Sequence, residues 1–225
     1  MVRAVDGQGE RVMNDYPGYI AVEGPMGSGT TTLALKIAER LGHQTILDQF
    51  AANPYLERFY RDPEQFALAT QLSFLRTRLE QQKELVGMLG DNVISDYLLA
   101  RDELYAGIAL TEEELDLYQY YFGHLHPSPP KPDLVVYLQA TPEALMNRID
   151  RRGRGFEVDV QIAYLRRLIE AYNSFFFHYN ETPLLVINTT KIDYVHSEIE
   201  LDYLLEEINR TRTGTRYYVV SNVQE

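Results

Sequence analysis

A glycine-rich segment near the start of the chain constrains its fold more than any other feature. Residues 24–31 read Gly-Pro-Met-Gly-Ser-Gly-Thr-Thr, between strand-like Tyr19–Glu23 and helix-like Thr32–Leu41. This is the spacing and context of a phosphate-binding loop, in which backbone N–H groups and a helix N-terminus bind phosphate. The pattern requires lysine before its final hydroxyl residue, and Thr30 stands there instead. The loop therefore indicates a bound nucleotide more strongly than it indicates a reaction.

The composition is that of a globular domain with an acidic surface. A hydrophobic content of 45% over 225 residues is enough for a sizeable core. The net charge of −12 argues against a general role at nucleic acids or membrane surfaces, because their phosphates would be repelled. The absence of cysteine excludes disulfides and thiolate metal sites, and it is compatible with a reducing cytoplasm.

The chain is predicted to consist of a short tail and one domain. Residues 1–17 are polar and have no apolar core segment, which indicates a disordered tail and not a signal peptide. Residues 18–225 are predicted to form a single domain. No apolar run approaches the roughly 20 residues that a membrane span requires.

Short apolar segments alternate with helical patterns along this domain. The strand-like segments are Tyr19–Glu23, Thr45–Leu47, Asn92–Ser95, Leu134–Leu138 and Leu184–Ile187. The helical patterns are Thr31–Leu41, Pro54–Tyr60, Pro63–Gly87, Arg101–Ala106, Glu112–Phe122, Pro142–Arg151, Val158–Tyr179 and Ser197–Arg210. This alternation predicts a three-layer α/β fold, in which helices cover both faces of a parallel five-stranded sheet.

An arginine-rich segment follows the fourth strand. Residues 148–157 read Arg-Ile-Asp-Arg-Arg-Gly-Arg-Gly-Phe-Glu. Arg148 and Arg152 are four residues apart and so share a helix face, and Arg154 follows a glycine that allows a turn. Guanidinium groups bind phosphate oxygens bidentately, which suits a nucleotide site. The alternative is a solvated basic helix end that complements the helix dipole.

Another group of motifs lies between residues 53 and 71. It reads Asn-Pro-Tyr-Leu-Glu-Arg-Phe-Tyr at residues 53–60, followed by Asp62-Pro63 and then Gln71. Together with the loop and the arginine-rich segment, these motifs resemble the deoxynucleoside kinase family from about Tyr19 to about Val195. The resemblance implies a P-loop kinase fold of the thymidylate-kinase type, with residues 148–157 as the lid over the ATP phosphates.

The resemblance implies a nucleoside site. Tyr60 is expected to bind the sugar 3′-hydroxyl, with Glu157 on its other side. Gln71 and Arg78 would present an amide and a guanidinium to the base edge, and Asp102 would complete recognition. Gln71 and Arg78 are two helical turns apart and share a face. The alternative is an amphipathic helix whose polar side chains face water.

The resemblance also implies ATP as phosphate donor and Mg²⁺ as metal. The residues implied to bind ATP are Gly24, Gly27, Ser28, Gly29, Thr30, Thr31, Thr32, Arg152, Arg154 and Asp193. Arg148, Arg152 and Arg154 are expected to act in catalysis by carrying phosphate charge. Thr31 and Asp96 are expected to hold Mg²⁺ through their oxygens. Asp96 follows a buried strand, so its alternative role is to cap the next helix.

The catalytic base implied by the resemblance is Asp48. The family has a glutamate near this position, and it takes the proton from the sugar 5′-hydroxyl. Asp48 is one methylene shorter, and a displacement of roughly 1 Å can cost about a hundredfold in rate. The alternative is that Asp48 only forms a turn beside Gln49.

Three charged positions depart from the family pattern: Thr30 for lysine, Asp48 for glutamate and Tyr97 for arginine. Two functions therefore stay open. The first is a deoxynucleoside kinase of nucleotide salvage that phosphorylates a purine or cytosine deoxynucleoside. The second is a catalytically impaired protein of the same fold, acting as a nucleotide-binding or accessory structural subunit. The resemblance further implies a cytoplasmic homodimer with small-molecule ligands and no nucleic-acid partner.

Overall fold

The computed structural model describes residues 16–125 and 129–219, which contain a six-stranded, wholly parallel sheet. Its strands are β1 Tyr19–Glu23, β2 Gln44–Ile46, β3 Val93–Ser95, β4 Leu134–Gln139, β5 Leu184–Asn188 and β6 Thr215–Tyr218. They lie in the order β2-β3-β1-β4-β5-β6. The five predicted strands are confirmed to within a residue at each end, and β6 is an addition that the prediction of five strands missed.

Eight α-helices accompany these strands within the described residues. They are α1 Thr30–Leu41, α2 Leu56–Arg61, α3 Pro63–Met88, α4 Arg101–Ala109, α5 Glu112–Leu125, α6 Pro142–Arg152, α7 Ile162–His178 and α8 Glu198–Arg210. The pattern predicted to start a helix at Val158 is wrong by four residues, because a 3₁₀ turn at Gly155–Glu157 comes first and Gln161 caps α7.

The three-layer prediction is confirmed by the two cores on either side of the sheet. Alternate residues of β1 point to opposite faces, so Ile20 and Val22 pack with α1 and α8. Tyr19 and Ala21 pack on the other face with α7 side chains such as Tyr172. Every residue of β1 is buried, which explains its continuous apolar sequence.

The strand order determines where the site lies. The chain passes from β1 through α1 to β2 at one edge, then through β3 and across β1 to β4. Such reversals leave a crevice at the carboxyl ends of the strands, where ligands bind in open α/β sheets. The segments that follow β1, β2 and β3 meet at this crevice.

The sequence also led to predictions about an N-terminal tail, a single domain and membrane spans. The predicted tail lies outside the described residues except for its last two positions, and the single-domain assignment stays a prediction. None of the described helices is both long and apolar enough to cross a membrane.

Candidate active site

The glycine-rich loop has a backbone that only glycine accommodates at two positions. Gly27 and Gly29 have φ angles of 83° and 97°. A Cβ on Gly29 would also lie 2.3 Å from the Tyr194 hydroxyl, and one on Gly24 would lie 2.8 Å from the Leu138 carbonyl oxygen. The loop is therefore closely packed against the end of β4 and against Tyr194, and it leads directly into α1.

The loop forms one wall of a cavity of about 280 Å³. The predicted site residues that line this cavity are Gly24, Gly27, Gly29, Thr30, Thr31, Thr32, Asp48, Tyr60, Gln71, Arg78, Asp96, Arg152, Arg154 and Glu157. The described residues that line the cavity do not include the other four predicted residues, Ser28, Asp102, Arg148 and Asp193. The loop side and the nucleoside side of the prediction thus face one continuous space.

Asp48 lies at the middle of this cavity, held by two arginines. Its Oδ2 accepts hydrogen bonds from Arg78 Nη2 at 2.7 Å and from Arg101 Nη1 at 3.2 Å. Arg78 Nε also donates to Oδ1 at 3.3 Å. Burial alone would raise the pKa of Asp48, but the guanidinium groups of Arg78 and Arg101 hold it below its usual value. Asp48 is therefore an ionised carboxylate facing the cavity and not merely a turn residue.

Asp102 lies behind Arg78 and not on the cavity wall. Arg78 Nη1 donates to Asp102 Oδ1, while Asp102 Oδ2 has no hydrogen-bond partner among the described residues. Burial raises the pKa of Asp102 to about 6, against the opposing effect of Arg78. Asp102 thus orients Arg78 instead of facing a ligand itself. Gln71, on the same helix as Arg78, has a buried Oε1 without a partner in the described chain.

Thr31 and Asp96 form the oxygen pair expected at a metal site. The Thr31 hydroxyl donates to Asp96 Oδ2, and the main-chain N–H of Asp48 donates to Asp96 Oδ1 at 2.6 Å. The alternative of a helix cap is wrong, because α4 begins after Ala100 without any side-chain cap. Asp96 instead joins the end of β3 to the phosphate loop and to the segment after β2.

The lid arginines are paired with the lid carboxylate. Arg152 binds Glu157 through Nε at 2.7 Å and Nη2 at 2.5 Å, and Arg154 Nη1 lies 3.6 Å from the same carboxylate. The Arg154 guanidinium also lies 4.1 Å from the centroid of the Phe50 ring. Beside them, the Tyr60 ring stacks on Phe156, with 6.4 Å between ring centroids. Glu157 therefore connects the phosphate side and the sugar side of the cavity.

Arg148 and Asp193 are placed differently from their expected roles. Arg148 donates to the Ser28 carbonyl at 3.3 Å and to the Thr189 hydroxyl at 3.1 Å. Arg148 therefore contacts the loop on the side where α6 packs against it, and not from the cavity. The exposed Asp193 carboxylate pairs with His196 at 3.0 Å.

Two site residues, Glu23 and Arg101, were missed by the sequence predictions. Arg101 donates to Glu23 Oε1 from Nη2 at 2.6 Å and from Nε at 2.9 Å, and both residues are buried. The sequence did contain a hint for each of them. Glu23 is a charged residue at the end of a buried strand. Arg101 is a cation in the first turn of a helix, where the helix dipole disfavours positive charge. Both therefore required a partner.

Neither Tyr97, which stands in place of the family arginine, nor Lys36 of α1 supplies positive charge to the cavity. Tyr97 is buried, with its ring 5.6 Å from the Arg78 guanidinium. Lys36 lies 3.8 Å from Glu198 and does not line the cavity, so it does not replace the loop lysine.

Sequence comparison finds relatives along most of this chain. A profile of the deoxynucleoside kinase family matches residues 20–212. The chain is 33% identical to a deoxyguanosine kinase of Bacillus subtilis over 163 residues, which are 71% of this chain and 78% of that protein. It is 31% identical to a deoxyguanosine kinase of Lactobacillus acidophilus over 84% of this chain and 88% of that protein.

Solved structures show the same fold. The deoxyadenosine kinase from M. mycoides with bound dATP superposes with a TM-score of 0.76 and 22% identity, covering 85% of this chain and 99% of that one. The family profile, the two relatives and the shared fold agree with the motifs in the cavity. The chain therefore belongs to the deoxynucleoside kinase family.

Proposed function

We propose that this protein transfers the γ-phosphate of ATP to the 5′-hydroxyl of a deoxynucleoside. The observation that carries the proposal is the single cavity with a phosphate loop at one end and the side chains of Tyr60, Gln71 and Arg78 at the other. Asp96 bonds to Thr31 of the loop and to the Asp48 N–H, and Asp48 bonds to Arg78, so the two carboxylates connect these ends. The donor phosphate and the acceptor hydroxyl would meet there. Phosphoryl transfer depends mainly on such positioning and on stabilisation of charge.

The ATP end relies on backbone dipoles and arginines. The N–H groups of the loop and the N-terminus of α1 favour phosphate, and Arg152 and Arg154 would exchange Glu157 for phosphate oxygens. Thr30 offers a hydroxyl and no charge. These arginines would therefore carry more of the phosphate charge than in a site with a loop lysine.

Thr31 and Asp96 fit a magnesium ion. Mg²⁺ is usually held by one or two carboxylates plus substrate phosphates, and the described residues contain no group of three or more His, Cys, Asp or Glu that would form a complete protein cage. When bound, Mg²⁺ would neutralise charge on the transferred phosphate. The Thr31 hydroxyl would turn its lone pair toward the ion, and Asp96 would keep its second oxygen on the Asp48 N–H.

Asp48 would accept the proton of the 5′-hydroxyl. A general base must come within about 2.6–3.2 Å of its partner. Its carboxylate faces the cavity, and the two arginines keep it ionised. Asp48→Asn is expected to lower kcat by about 100–10,000-fold while nucleoside binding persists.

We propose a purine or cytosine deoxynucleoside as substrate. Arg78 offers N–H donors, and the unpaired Gln71 Oε1 offers an acceptor, so together they suit a base edge with both an acceptor and an amino group. The names of the relatives support this, because they include deoxyguanosine kinases and a deoxyadenosine/deoxycytidine kinase of Bacillus subtilis.

The test is a product assay with ATP, Mg²⁺ and each of the four natural deoxynucleosides. Formation of a deoxynucleoside monophosphate from a purine or cytosine substrate, lost in Asp48→Asn, is the expected result. Thr30 favours a second candidate, a nucleotide binder without turnover. That candidate is supported if ATP raises the melting temperature but no product forms from any of the four.

We also propose that the protein is a cytoplasmic homodimer. An exposed apolar face on α5, formed by Leu117, Tyr120, Tyr121 and Leu125, supports association with a second copy. Light scattering is expected to give twice the chain mass for the native protein, and Tyr121→Asp combined with Leu117→Asp is expected to give the monomer. A monomeric mass for the native protein would contradict this.

A further inference from the structure

Arg101 occupies the point where the segments after β1, β2 and β3 meet. Its guanidinium donates to Glu23 Oε1 at 2.6 Å, to Asp48 Oδ2 at 3.2 Å and to the Asp96 carbonyl oxygen at 2.9 Å. The side chain is only 9% exposed, yet it lines the cavity. One rigid planar group therefore joins the end of β1 to both acidic residues of the proposed catalytic centre.

Charge explains why an arginine is held at this position. Glu23 and Asp48 are both buried, and two carboxylates without a cation would repel each other in a poorly solvated site. The Glu23 carboxylate is itself fixed, since it accepts hydrogen bonds from the Tyr172 hydroxyl at 3.0 Å and from the Leu98 N–H at 2.5 Å. Glu23 is thus an anchor that sets the direction of the Arg101 guanidinium toward Asp48.

Arg78 is the other cation on Asp48, but its position is different. It also binds Asp102, and it is the side chain proposed to contact the base. A base that engages Arg78 draws hydrogen bonds away from Asp48. Arg101 is anchored by Glu23 and the Asp96 carbonyl instead, so its contact with Asp48 does not compete with the base.

We propose that Arg101 is a positioning residue that holds the Asp48 carboxylate at the acceptor hydroxyl and adds a fixed positive charge at the reaction centre. This inference rests on the proposed role of Asp48 as the base. Its chemistry is that of a fixed guanidinium, which neither gives up nor accepts a proton in the reaction.

The test compares kcat, the KM for ATP and the KM for the deoxynucleoside in full-length Arg101→Met, Arg101→Lys and native protein. Arg101→Met is expected to lower kcat by about 10–100-fold, with a smaller change in the KM for ATP, because it removes positioning and charge at the acceptor end. The KM for the deoxynucleoside should change less than kcat, because Arg101 bonds to Asp48 and not to the side chains proposed to bind the base. Arg101→Lys retains the charge but not the planar fork, so its kcat should lie between those of Arg101→Met and the native protein.

The matched control is Arg166→Met, which removes an exposed arginine on α7 far from Asp48 and should leave kcat and both KM values unchanged. Because Arg101→Met leaves the buried Glu23 carboxylate without its cation, its fold is checked by circular dichroism. Arg101→Met combined with Glu23→Gln is the second variant, and it should show the same loss of kcat.

The outcomes separate this inference from the proposed function. A kcat unchanged in the folded Arg101 variants, with activity lost in Asp48→Asn, would overturn the inference and leave the kinase proposal intact. Native activity in Asp48→Asn would overturn both the role of Asp48 as the base and the role of Arg101. A kcat that falls in Arg101→Met while the nucleoside KM stays nearly native, and that Arg101→Lys partly restores, supports the inference.

Discussion

Thr30 is the residue that most affects the expected rate. It stands at the first position of α1, on the cavity wall, where a lysine would reach the outer phosphates of the donor. Its hydroxyl can hydrogen-bond to a phosphate oxygen, but it cannot neutralise the charge that develops in the transition state. Loss of one preorganised donor typically costs about 100–1,000-fold in rate.

Thr30→Lys is therefore expected to raise kcat by about 100-fold, because it restores that charge at the transferred phosphate. The measurement is steady-state kinetics with ATP and the preferred deoxynucleoside. Leu35→Lys, which adds the same charge on the exposed side of α1, is the control and should leave kcat unchanged. An unchanged kcat in Thr30→Lys would mean that Arg152 and Arg154 already carry the phosphate charge.

Asp102 makes nucleoside recognition sensitive to pH. Burial raises its pKa to about 6, so it loses its negative charge as the pH falls through 6. The neutral carboxyl binds Arg78 less firmly, and Arg78 then presents its donors to the base less well. The KM for the deoxynucleoside is expected to rise as the pH falls below 6, while the KM for ATP stays nearly constant.

Asp102→Asn should have a raised but pH-independent nucleoside KM over the same interval. Substrate titrations from pH 5 to 8 in both proteins check this, since the pKa of about 6 lies within that window. A native KM that does not change across this interval would rule out titration of Asp102 as the cause.

Residues that share a periodic element could be predicted from their spacing, and pairs across elements, such as Thr31 with Asp96, only from the family resemblance. Gln71 and Arg78 line the same cavity because the helix period places them on one face of α3. Arg148 shares a face with Arg152, but the packing of α6 on the loop turns it to Ser28. The Glu23–Arg101 pair joins residues 78 positions apart, and no local pattern specifies that separation.

At the scale of elements, the loop between β1 and α1 depends on glycine at position 29. An alanine there would need a φ near 97° and would place its Cβ 2.3 Å from the Tyr194 hydroxyl. Gly29→Ala is expected to lower the free energy of unfolding by about 1–3 kcal/mol and to weaken ATP binding. Chemical denaturation and ATP titration measure the two effects.

Gly107→Ala is the matched control, because Gly107 lies within α4 and an added Cβ there meets nothing within 4 Å. It should stabilise the protein by about 0.5–1 kcal/mol. Gly29→Ala combined with Tyr194→Phe removes the clash but not the backbone strain, so it should recover only part of the loss. Native stability and ATP affinity in Gly29→Ala alone would contradict the argument.

Four of the five predicted strands are buried, and the strand that was missed is exposed. Each of the four strands β1, β3, β4 and β5 is almost wholly buried, so each appears as a continuous apolar segment. Strand β6 reads Thr-Arg-Tyr-Tyr at the edge of the sheet and is largely exposed. Its pairing with β5 comes from backbone hydrogen bonds, which leave no hydrophobic pattern in the sequence.

At the scale of the whole molecule, an acidic protein concentrates arginines in its cavity. The net charge is −12, yet among the described residues four arginines, Arg78, Arg101, Arg152 and Arg154, line the cavity beside three carboxylates, Asp48, Asp96 and Glu157. Arg78 and Arg101 are buried among carboxylates, with side chains 4% and 9% exposed. The lid arginines Arg152 and Arg154 are 32% and 36% exposed, so they are the ones that phosphate can recruit. The affinity for ATP should therefore depend on these two arginines, because the net negative charge of the protein disfavours an anionic ligand.

ATP with Mg²⁺ is expected to raise the melting temperature of the whole domain. At a hundredfold excess over Kd, binding adds about 2.7 kcal/mol to the free energy of unfolding. For a chain of this size that is a shift of about 5–10 °C. Arg152→Met combined with Arg154→Met should lose most of the shift, because the phosphates then lack their cations.

The matched control is Arg61→Met combined with Arg166→Met, which removes two exposed arginines and should keep the shift. Thermal melts of all three proteins with and without ATP measure it. A full shift in the lid variant would assign phosphate binding to the loop backbone alone. A shift that is lost together with turnover in the lid variant, and kept in the control, would show that one pair of arginines serves both binding and transfer, as expected for a kinase whose loop has no lysine.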